Sequence, residues 1–326
     1  MTVKEAHALG VKSLLKSPSP ALDVDCLLQH ILQCDKTSLL FHNERVLTQE
    51  EQSAFLKAIE IRNTGFPIAY LTGHKEFYGI DFLVTQDVLI PKPDTETLVE
   101  KSIEVLKEKS NTNNILTVCD MCTGSGCVAL SIMSECLTQK IFTVENLPSF
   151  TLVDISDKAL EVAQKNAVKI ISELTDSKQK QNLLQRKLRF TRSNLFETVT
   201  GSFDLITSNP PYIPEKEALE LLKDGRREPL LALDGDVEIN GKPSYTKDGL
   251  AVMRNLVPQA KLHLAPNGYL IVEAGEYNAE ETQIIFFKSY FKSPKIFCDL
   301  EGQMRVVKGQ NSTAVRETFD DRKFCL

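Results

Sequence analysis

The chain reads as an α/β protein, a parallel sheet flanked by helices and set behind a small helical module. Three observations predict this. From residue 96 onward, apolar runs of strand length alternate with segments of helical periodicity. One such strand, Ile115-Leu116-Thr117-Val118-Cys119-Asp120, runs through the turn Met121-Cys122-Thr123-Gly124-Ser125-Gly126 into the apolar helix Val128-Ala129-Leu130-Ser131-Ile132. Residues 1–65 instead place apolar side chains at helical spacing, first Ala21, Val24, Leu27, Leu28, Ile31 and Leu32, then Phe55, Leu56 and Ile59.

In the helical module, Ser17-Pro18-Ser19-Pro20 punctuates the pattern and Thr48-Gln49-Glu50-Glu51 has the form of a capping box. Pattern alone leaves two readings of the module, a structural appendage or a partner-docking domain. Gly65 and Pro67 end it. The runs Glu76-Phe77-Tyr78 and Asp81-Phe82-Leu83-Val84, separated by Gly79-Ile80, then predict a hairpin linker over 66–91. The remaining unit, 92–326, opens with a helix over 96–107. Its strands are expected at 115–121, 150–156, 187–193, 203–208, 268–274, 295–300 and 303–309. Residues 175–189 are polar and basic and read as a solvated helix-to-strand connection.

Bulk properties exclude several classes. The 326 residues are 42% hydrophobic and 25% charged, with no apolar run of spanning length, so a membrane protein is not expected. The first residues carry no charged-then-apolar leader pattern, which makes the cytoplasm the expected address. A formal charge of −6 argues against affinity built on neutralising a phosphate backbone, and no aromatic side chains interleave the charges of 175–189. The eight cysteines read as reduced core thiols. Cys119 and Cys122 form a C-x-x-C, but no second pair or histidine cluster has metal spacing, so no metal is expected. The five histidines are scattered and belong to no nucleophile motif.

Three strand ends carry the candidate chemistry. Glycines at 124 and 126 let backbone amides approach a ligand closely, although such loops serve nucleotides as well as S-adenosylmethionine. Phe150-Thr151-Leu152-Val153-Asp154 ends in an acid placed to accept from ribose hydroxyls, while Ser156 and Asp157 suit the capping of the next helix better. Phe203-Asp204-Leu205-Ile206-Thr207-Ser208 delivers Asn209-Pro210-Pro211-Tyr212 to the edge of the sheet where ligands sit. The prolines remove backbone donors, so the Asn209 oxygen and the Pro210 carbonyl make an acceptor-rich pocket suited to an NH2 group. Amide and exocyclic nitrogens are weak nucleophiles. An enzyme must hold one in line with a sulfonium methyl and stabilise the positive charge that develops on it. Tyr212 is expected to stack on the planar group or wall the pocket.

Asn-Pro-Pro-Tyr occurs in several amino-methyltransferase families, so by itself it gives the chemistry and not the substrate. Three further stretches narrow it. The first is Pro67-Ile68-Ala69-Tyr70-Leu71-Thr72-Gly73-His74-Lys75-Glu76-Phe77-Tyr78-Gly79 with Leu89-Ile90-Pro91-Lys92-Pro93-Asp94-Thr95-Glu96. The others are Arg227-Glu228-Pro229-Leu230-Leu231-Ala232-Leu233 and Gly302-Gln303-Met304-Arg305-Val306-Val307-Lys308-Gly309. Together with the tetrapeptide they resemble the HemK/PrmC family, which methylates the glutamine side chain of peptide release factors. The resemblance covers essentially the whole chain. It implies a Rossmann-like seven-stranded S-adenosylmethionine-dependent methyltransferase fold with a small N-terminal helical domain and a β-hairpin linker. It also implies cofactor contacts at Cys122, Thr123, Gly124, Ser125 and Gly126, a ribose contact at Asp154, and further contacts at Asn194, Leu195 and Asn209. The substrate would be the Gly-Gly-Gln glutamine of class-one release factors, held by Asn209, Pro210, Pro211 and Tyr212, with the N-terminal domain helping to dock it.

The chain departs from the family pattern at four places. Cys122 stands where a third glycine is frequent, Asn194 where an acid is common, Lys92 where arginine is frequent, and residues 235–248 look longer than usual. An adenine-N6 or guanine-N2 nucleic-acid methyltransferase and a non-catalytic adaptor are the alternative readings.

Overall fold

The computed structural model describes residues 1–111, 114–238 and 246–311. Helices Val3–Ser13, Pro20–Leu32, Lys36–Phe41 and Gln49–Arg62 pack around Val24, Leu27, Leu28, Phe55 and Ile59. The expected capping box is present. Thr48 Oγ1 accepts from the Glu51 amide at 3.2 Å, and Glu51 Oε2 accepts from the Thr48 amide at 2.9 Å. Ala21 and Leu56, expected in this core, are exposed. Asp23 is buried instead, because Arg62 Nε pairs with it at 2.7 Å.

After helix Ile68–Thr72, strands β1 (His74–Phe77) and β2 (Ile80–Leu83) form an antiparallel hairpin. Its turn is Tyr78-Gly79, one residue earlier than the Gly79-Ile80 separation read from the sequence. Both turn residues have positive φ, 53° and 70°, as a two-residue turn matched to strand twist requires.

All seven expected strands of the main sheet form: β3 (Thr117–Met121), β4 (Ser149–Asp154), β5 (Leu188–Arg192), β6 (Phe203–Ser208), β7 (Leu264–Glu273), β8 (Phe291–Cys298) and β9 (Met304–Asn311). Their order is β5-β4-β3-β6-β7-β9-β8, with β3 to β7 parallel and β9 antiparallel to both of its neighbours. Strands β7 and β8 each begin four residues earlier than the sequence predicts. Their first residues include Pro266, Asn267 and Gly268, or Ser293 and Pro294, which read as punctuation and fall in register shifts between paired positions. The 175–189 stretch is not merely a connection, since it contains the helix Lys178–Arg186, capped by Ser177 and anchored by buried Leu184. One buried side chain on an otherwise polar helix leaves little periodicity to read.

The topology positions the site. From β3 the chain moves outward to β4 and β5, then returns so that β6 lies on the other side of β3. At such a reversal the connections leaving neighbouring strands diverge to opposite faces of the sheet, and a crevice opens at their carboxyl ends. The hairpin is fastened beside that crevice by buried Asn166 of helix Asp157–Leu174. Its side chain accepts from the Leu83 amide at 2.7 Å and donates to the Leu83 and Ser125 carbonyls, each at 2.9 Å.

Candidate active site

A cavity of about 200 Å³ occupies the crevice. Its lining contains eight of the nine expected cofactor residues, Cys122, Thr123, Gly124, Ser125, Asp154, Asn194, Leu195 and Asn209. The glycine turn is closed by the Thr123 amide donating to the Val153 carbonyl at 2.9 Å and the Gly126 amide donating to the Thr123 carbonyl at 2.8 Å. A Cβ on Gly124 would meet nothing within 4 Å, so this backbone faces open space. Gly126 lies behind the lining. Its φ is 80°, and a Cβ there would lie 3.1 Å from Leu130 Cδ1 and 3.2 Å from Ala163 Cβ, so helix packing favours glycine at this position. Cys122 takes a left-handed φ of 59°, the conformation for which glycine is the common choice.

Asp154 braces this turn from the next strand. Its Oδ2 accepts from the Gly124 amide at 2.9 Å and its Oδ1 from the Ser156 amide at 3.0 Å. Burial pushes its carboxyl above the usual range, against the pull of those amides. Ser156 caps the following helix by accepting from the Ala159 amide, so Asp154 is left facing the cavity. Leu195 adopts a φ of 49°, and the Ser193 amide donates to the Asp154 carbonyl at 2.9 Å, which brings residues 193–195 against the same wall.

On the other wall, Asn209 follows β6 directly. Its Nδ2 donates to Thr95 Oγ1 at 3.1 Å. That bond commits the amide nitrogen to the protein and leaves the oxygen as the acceptor available to the cavity. Pro211 lines the cavity, whereas Pro210 is buried behind it. Tyr212 does not wall the cavity as the sequence reading expects. Its hydroxyl donates to Glu273 Oε1 at 3.0 Å, and its carbonyl accepts from Asn278 Nδ2 at 3.0 Å. The ring is thus an anchor for the Asn-Pro-Pro-Tyr loop. Behind the loop, a Cβ at Gly235 would lie 2.8 Å from Tyr212 Cα, and one at Gly249 2.3 Å from its carbonyl oxygen. These glycines flank residues 239–245, the part of the long 235–248 stretch that lies outside the described residues.

Four residues around the site have no role that the sequence alone predicts. Asp120 sits in the lining between the Thr123 hydroxyl at 2.6 Å and the Thr207 hydroxyl at 2.8 Å, and burial raises its pKa to about 6. Glu273 ends β7, buried beside the Asn209 loop. Each could have been found as an acid closing an apolar strand. Thr95 carries no such signal. Glu228 is buried and takes Lys92 Nζ at 2.7 Å, so two of the stretches quoted for the family resemblance meet here.

Among the described residues, no group of three or more histidine, cysteine or acidic side chains could hold a metal, and no helix is long and apolar enough to cross a membrane. The seven described cysteines are free, with Cys298 exposed; Cys325 lies outside the described residues. Burial pushes the Cys119 and Cys122 thiols up, and Cys127 to about 12, which keeps them protonated.

Residues 5–73 match the family described as the PrmC N-terminal domain, and residues 96–228 match the methyltransferase small domain. The chain is 34% identical over 319 residues to a release factor glutamine methyltransferase of Koribacter versatilis, covering 96% of this chain and all of that protein. A protein of the same name from Leptospira interrogans is 34% identical over 293 residues, covering 89% of this chain and 91% of that one. A solved structure of a release-factor-specific protein-(glutamine-N5) methyltransferase from Alicyclobacillus acidocaldarius is 25% identical, with a TM-score of 0.36 over 71% of this chain and 99% of that one. The crevice between a glycine turn and an Asn-Pro-Pro-Tyr loop therefore belongs to a chain that is a member of the release factor glutamine methyltransferase family.

Proposed function

We propose that this protein transfers a methyl group from S-adenosylmethionine to the side-chain amide nitrogen of the glutamine in the Gly-Gly-Gln loop of class-one release factors. The observation that carries the reading is the Asn209 carboxamide. It is held by Thr95 so that its oxygen is left to the cavity, across the crevice from the Gly124 turn. The residues present suit the cofactor. Gly124 exposes backbone to open space, and the partly buried Asp154 carboxylate on the same wall can accept from hydroxyls. When bound, S-adenosylmethionine supplies an electrophilic methyl.

The chain supplies position and charge. Asn209 Oδ1 accepts from a primary amide, orients its nitrogen, and stabilises the positive charge that builds on it as the N–C bond forms, while Pro210, behind the lining, fixes the backbone that presents Asn209. The prolines offer no competing backbone donors. The proton that leaves the nitrogen after transfer passes to solvent. Flanking glycines would let an extended Gly-Gly-Gln loop enter a narrow cavity closed to bulkier neighbours.

The same reading divides the chain into a substrate-docking domain over 1–65, a hairpin linker over 66–91 and a methyltransferase domain over 92–326. In support, Leu40, Phe41 and Val46 leave apolar surface outside the core of the helical module. Gly65 also meets the segment after the catalytic loop, where a Cβ would fall 1.7 Å from the Asp224 carbonyl oxygen. Replacing Leu40 and Phe41 together by serine should raise KM for a release factor while leaving cofactor affinity unchanged; an unchanged KM removes the docking role from this face. The site of action is where release factors work, in the cytoplasm, with no direct nucleic-acid contact required.

Incubation with labelled S-adenosylmethionine and an intact release factor should label that glutamine. Changing the glutamine to alanine should remove the label. Changing it to asparagine should nearly do so, because withdrawing the nitrogen by about 1.5 Å exceeds the ~1 Å displacement that costs on the order of a hundredfold. Label that persists on the alanine variant, or that goes to DNA or RNA, returns the adenine-N6 or guanine-N2 reading to first place. No label on any acceptor leaves the adaptor reading.

A further inference from the structure

The segment that follows the Asn-Pro-Pro-Tyr loop carries six charged side chains, Glu220, Lys223, Asp224, Arg226, Arg227 and Glu228. Five are matched within the chain. Lys223 pairs with Glu220 at 2.6 Å, Arg226 with Asp224 at 2.6 Å, and Lys92 with buried Glu228 at 2.7 Å. Arg227 is left over. It is exposed, and its guanidinium makes no ion pair or hydrogen bond among the described residues. The backbone sets its direction: Arg226 folds back onto Asp224 and Glu228 turns inward to Lys92, so the residue between them is turned outward. Its φ of 54° is a left-handed conformation that costs any residue but glycine.

Arg227 faces a second, open groove of about 580 Å³, walled by Leu222 and Gly225 of its own segment, Thr64 at the end of the helical module and Gln86 of the linker. The walls are locked together. A Cβ at Gly225 would fall 2.0 Å from the Thr64 carbonyl oxygen, and one at Gly65 1.7 Å from that of Asp224, so the two backbones touch. Gln86, across from Arg227, is also exposed and without a partner among the described residues. The groove adjoins the catalytic cavity, because Pro229 lines that cavity and lies two residues, at most ~7 Å of chain, beyond Arg227. A protein whose loop fills the cavity continues over this rim.

We propose that the groove docks the protein substrate, with one carboxylate of the release factor pairing with the Arg227 guanidinium. This rests on the reading of the cavity as a glutamine methyl-transfer site. Charge selects the kind of partner. With Lys92, Lys223, Arg226 and Arg227 set against Glu220, Asp224 and Glu228, one positive charge is uncompensated. A single carboxylate answers it, and the planar guanidinium, with all its donors unused, can hold both oxygens. A nucleic-acid strand would instead bring several phosphates past three acids, with one free cation to neutralise them. An apolar segment would cover that cation without pairing it.

The test is the KM for methyl transfer to an intact release factor. Arg227→Gly removes the charge and suits the left-handed turn better than arginine does, so the fold is kept. It should raise KM about three- to tenfold, with kcat within about twofold of wild type and calorimetric affinity for S-adenosylmethionine unchanged. Arg227→Glu should raise KM more than about tenfold, since it sets like charges together. Arg227→Lys, which keeps the charge without the fork, should fall between glycine and wild type. Added salt should raise the KM of wild type more than that of Arg227→Gly, because it screens a pair the variant lacks. Wild-type KM in Arg227→Gly, or the same KM in the glycine and glutamate variants, overturns the pairing. Competition by polyuridylic acid that depends on Arg227 gives the groove to phosphate and overturns it as well. A wild type that methylates no release factor overturns the reading of the cavity and this inference with it, whereas an active enzyme whose KM ignores Arg227 overturns this inference alone.

Discussion

The two walls of the crevice are built by different means. The cofactor wall is made of short-range contacts and backbone groups, with Thr123 bonded to Asp120 three residues away, Gly126 to Thr123, and the Gly124 amide to the end of the next strand. The substrate wall is made of side chains distant in sequence. Asn209 bonds Thr95 across 114 residues, Tyr212 bonds Glu273 across 61, and Lys92 pairs with Glu228 across 136. A wall of main-chain donors tolerates a change of side chain provided the turn keeps its shape. A wall of side-chain acceptors fails when one is removed, because each depends on its own distant partner for its orientation. The difference predicts that single substitutions on the substrate wall act mainly on kcat, and those on the cofactor wall act, more gently, on affinity.

The largest effect is expected at Asn209. Asn209→Ala removes the acceptor whose nitrogen is already committed to Thr95. Loss of one preorganised group that meets developing charge typically costs ~10²–10³ in kcat. Calorimetry should find cofactor affinity essentially unchanged. A kcat within tenfold of wild type would erase the distinction between the walls.

Legibility in the sequence follows the same division. The Thr123-Gly124-Ser125-Gly126 turn, Asp154 and the Asn209 loop each stand at the end of an apolar strand, so local pattern points to them, and all seven strands are readable from their periodicity. What places Gly126 and Tyr212 behind the cavity is not local. Gly126 answers to Ala163 on another helix, and Tyr212 to Glu273 on another strand. Thr95, at the head of helix Glu96–Lys109, has no pattern of its own and takes its role only when β6 is laid beside the turn that carries it. The hairpin turn and the early starts of β7 and β8 were obscure for a related reason. Punctuating residues there occupy left-handed turns or register shifts inside paired structure.

An intermediate effect is expected at Asp154. Asp154→Ala removes the brace of the Gly124 amide and any acceptor for ribose hydroxyls. The expected loss is ~1.5–3 kcal/mol of cofactor binding, or about ten- to 150-fold in Kd. Both carboxylate oxygens are engaged, so Asp154→Asn keeps one acceptor but turns an NH2 toward a backbone amide. It should fall between alanine and wild type, with kcat at saturating cofactor little changed. Unaltered affinity in both variants would show that Asp154 only shapes the helix entrance.

The smallest effect is expected at Cys122, and it tests the backbone character of the cofactor wall most directly. Its φ of 59° costs an ordinary residue roughly 1–2 kcal/mol, a strain that glycine does not carry. The side chain is partly buried against the cluster that includes Met121 and Met253, so Cys122→Gly loses some packing as it relieves the strain. The two terms are similar in size and opposite in sign. Melting should therefore show a stability change within about 1 kcal/mol, and cofactor affinity should stay within about threefold of wild type. Cys122→Val is the counterpart. A β-branched residue at a left-handed φ is a genuine outlier, so the turn must shift and carry the Gly124 amide away from Asp154. That variant should bind cofactor about tenfold more weakly. If glycine weakens binding as much as valine does, the thiol itself contacts the cofactor, and the cofactor wall depends on a side chain as the substrate wall does.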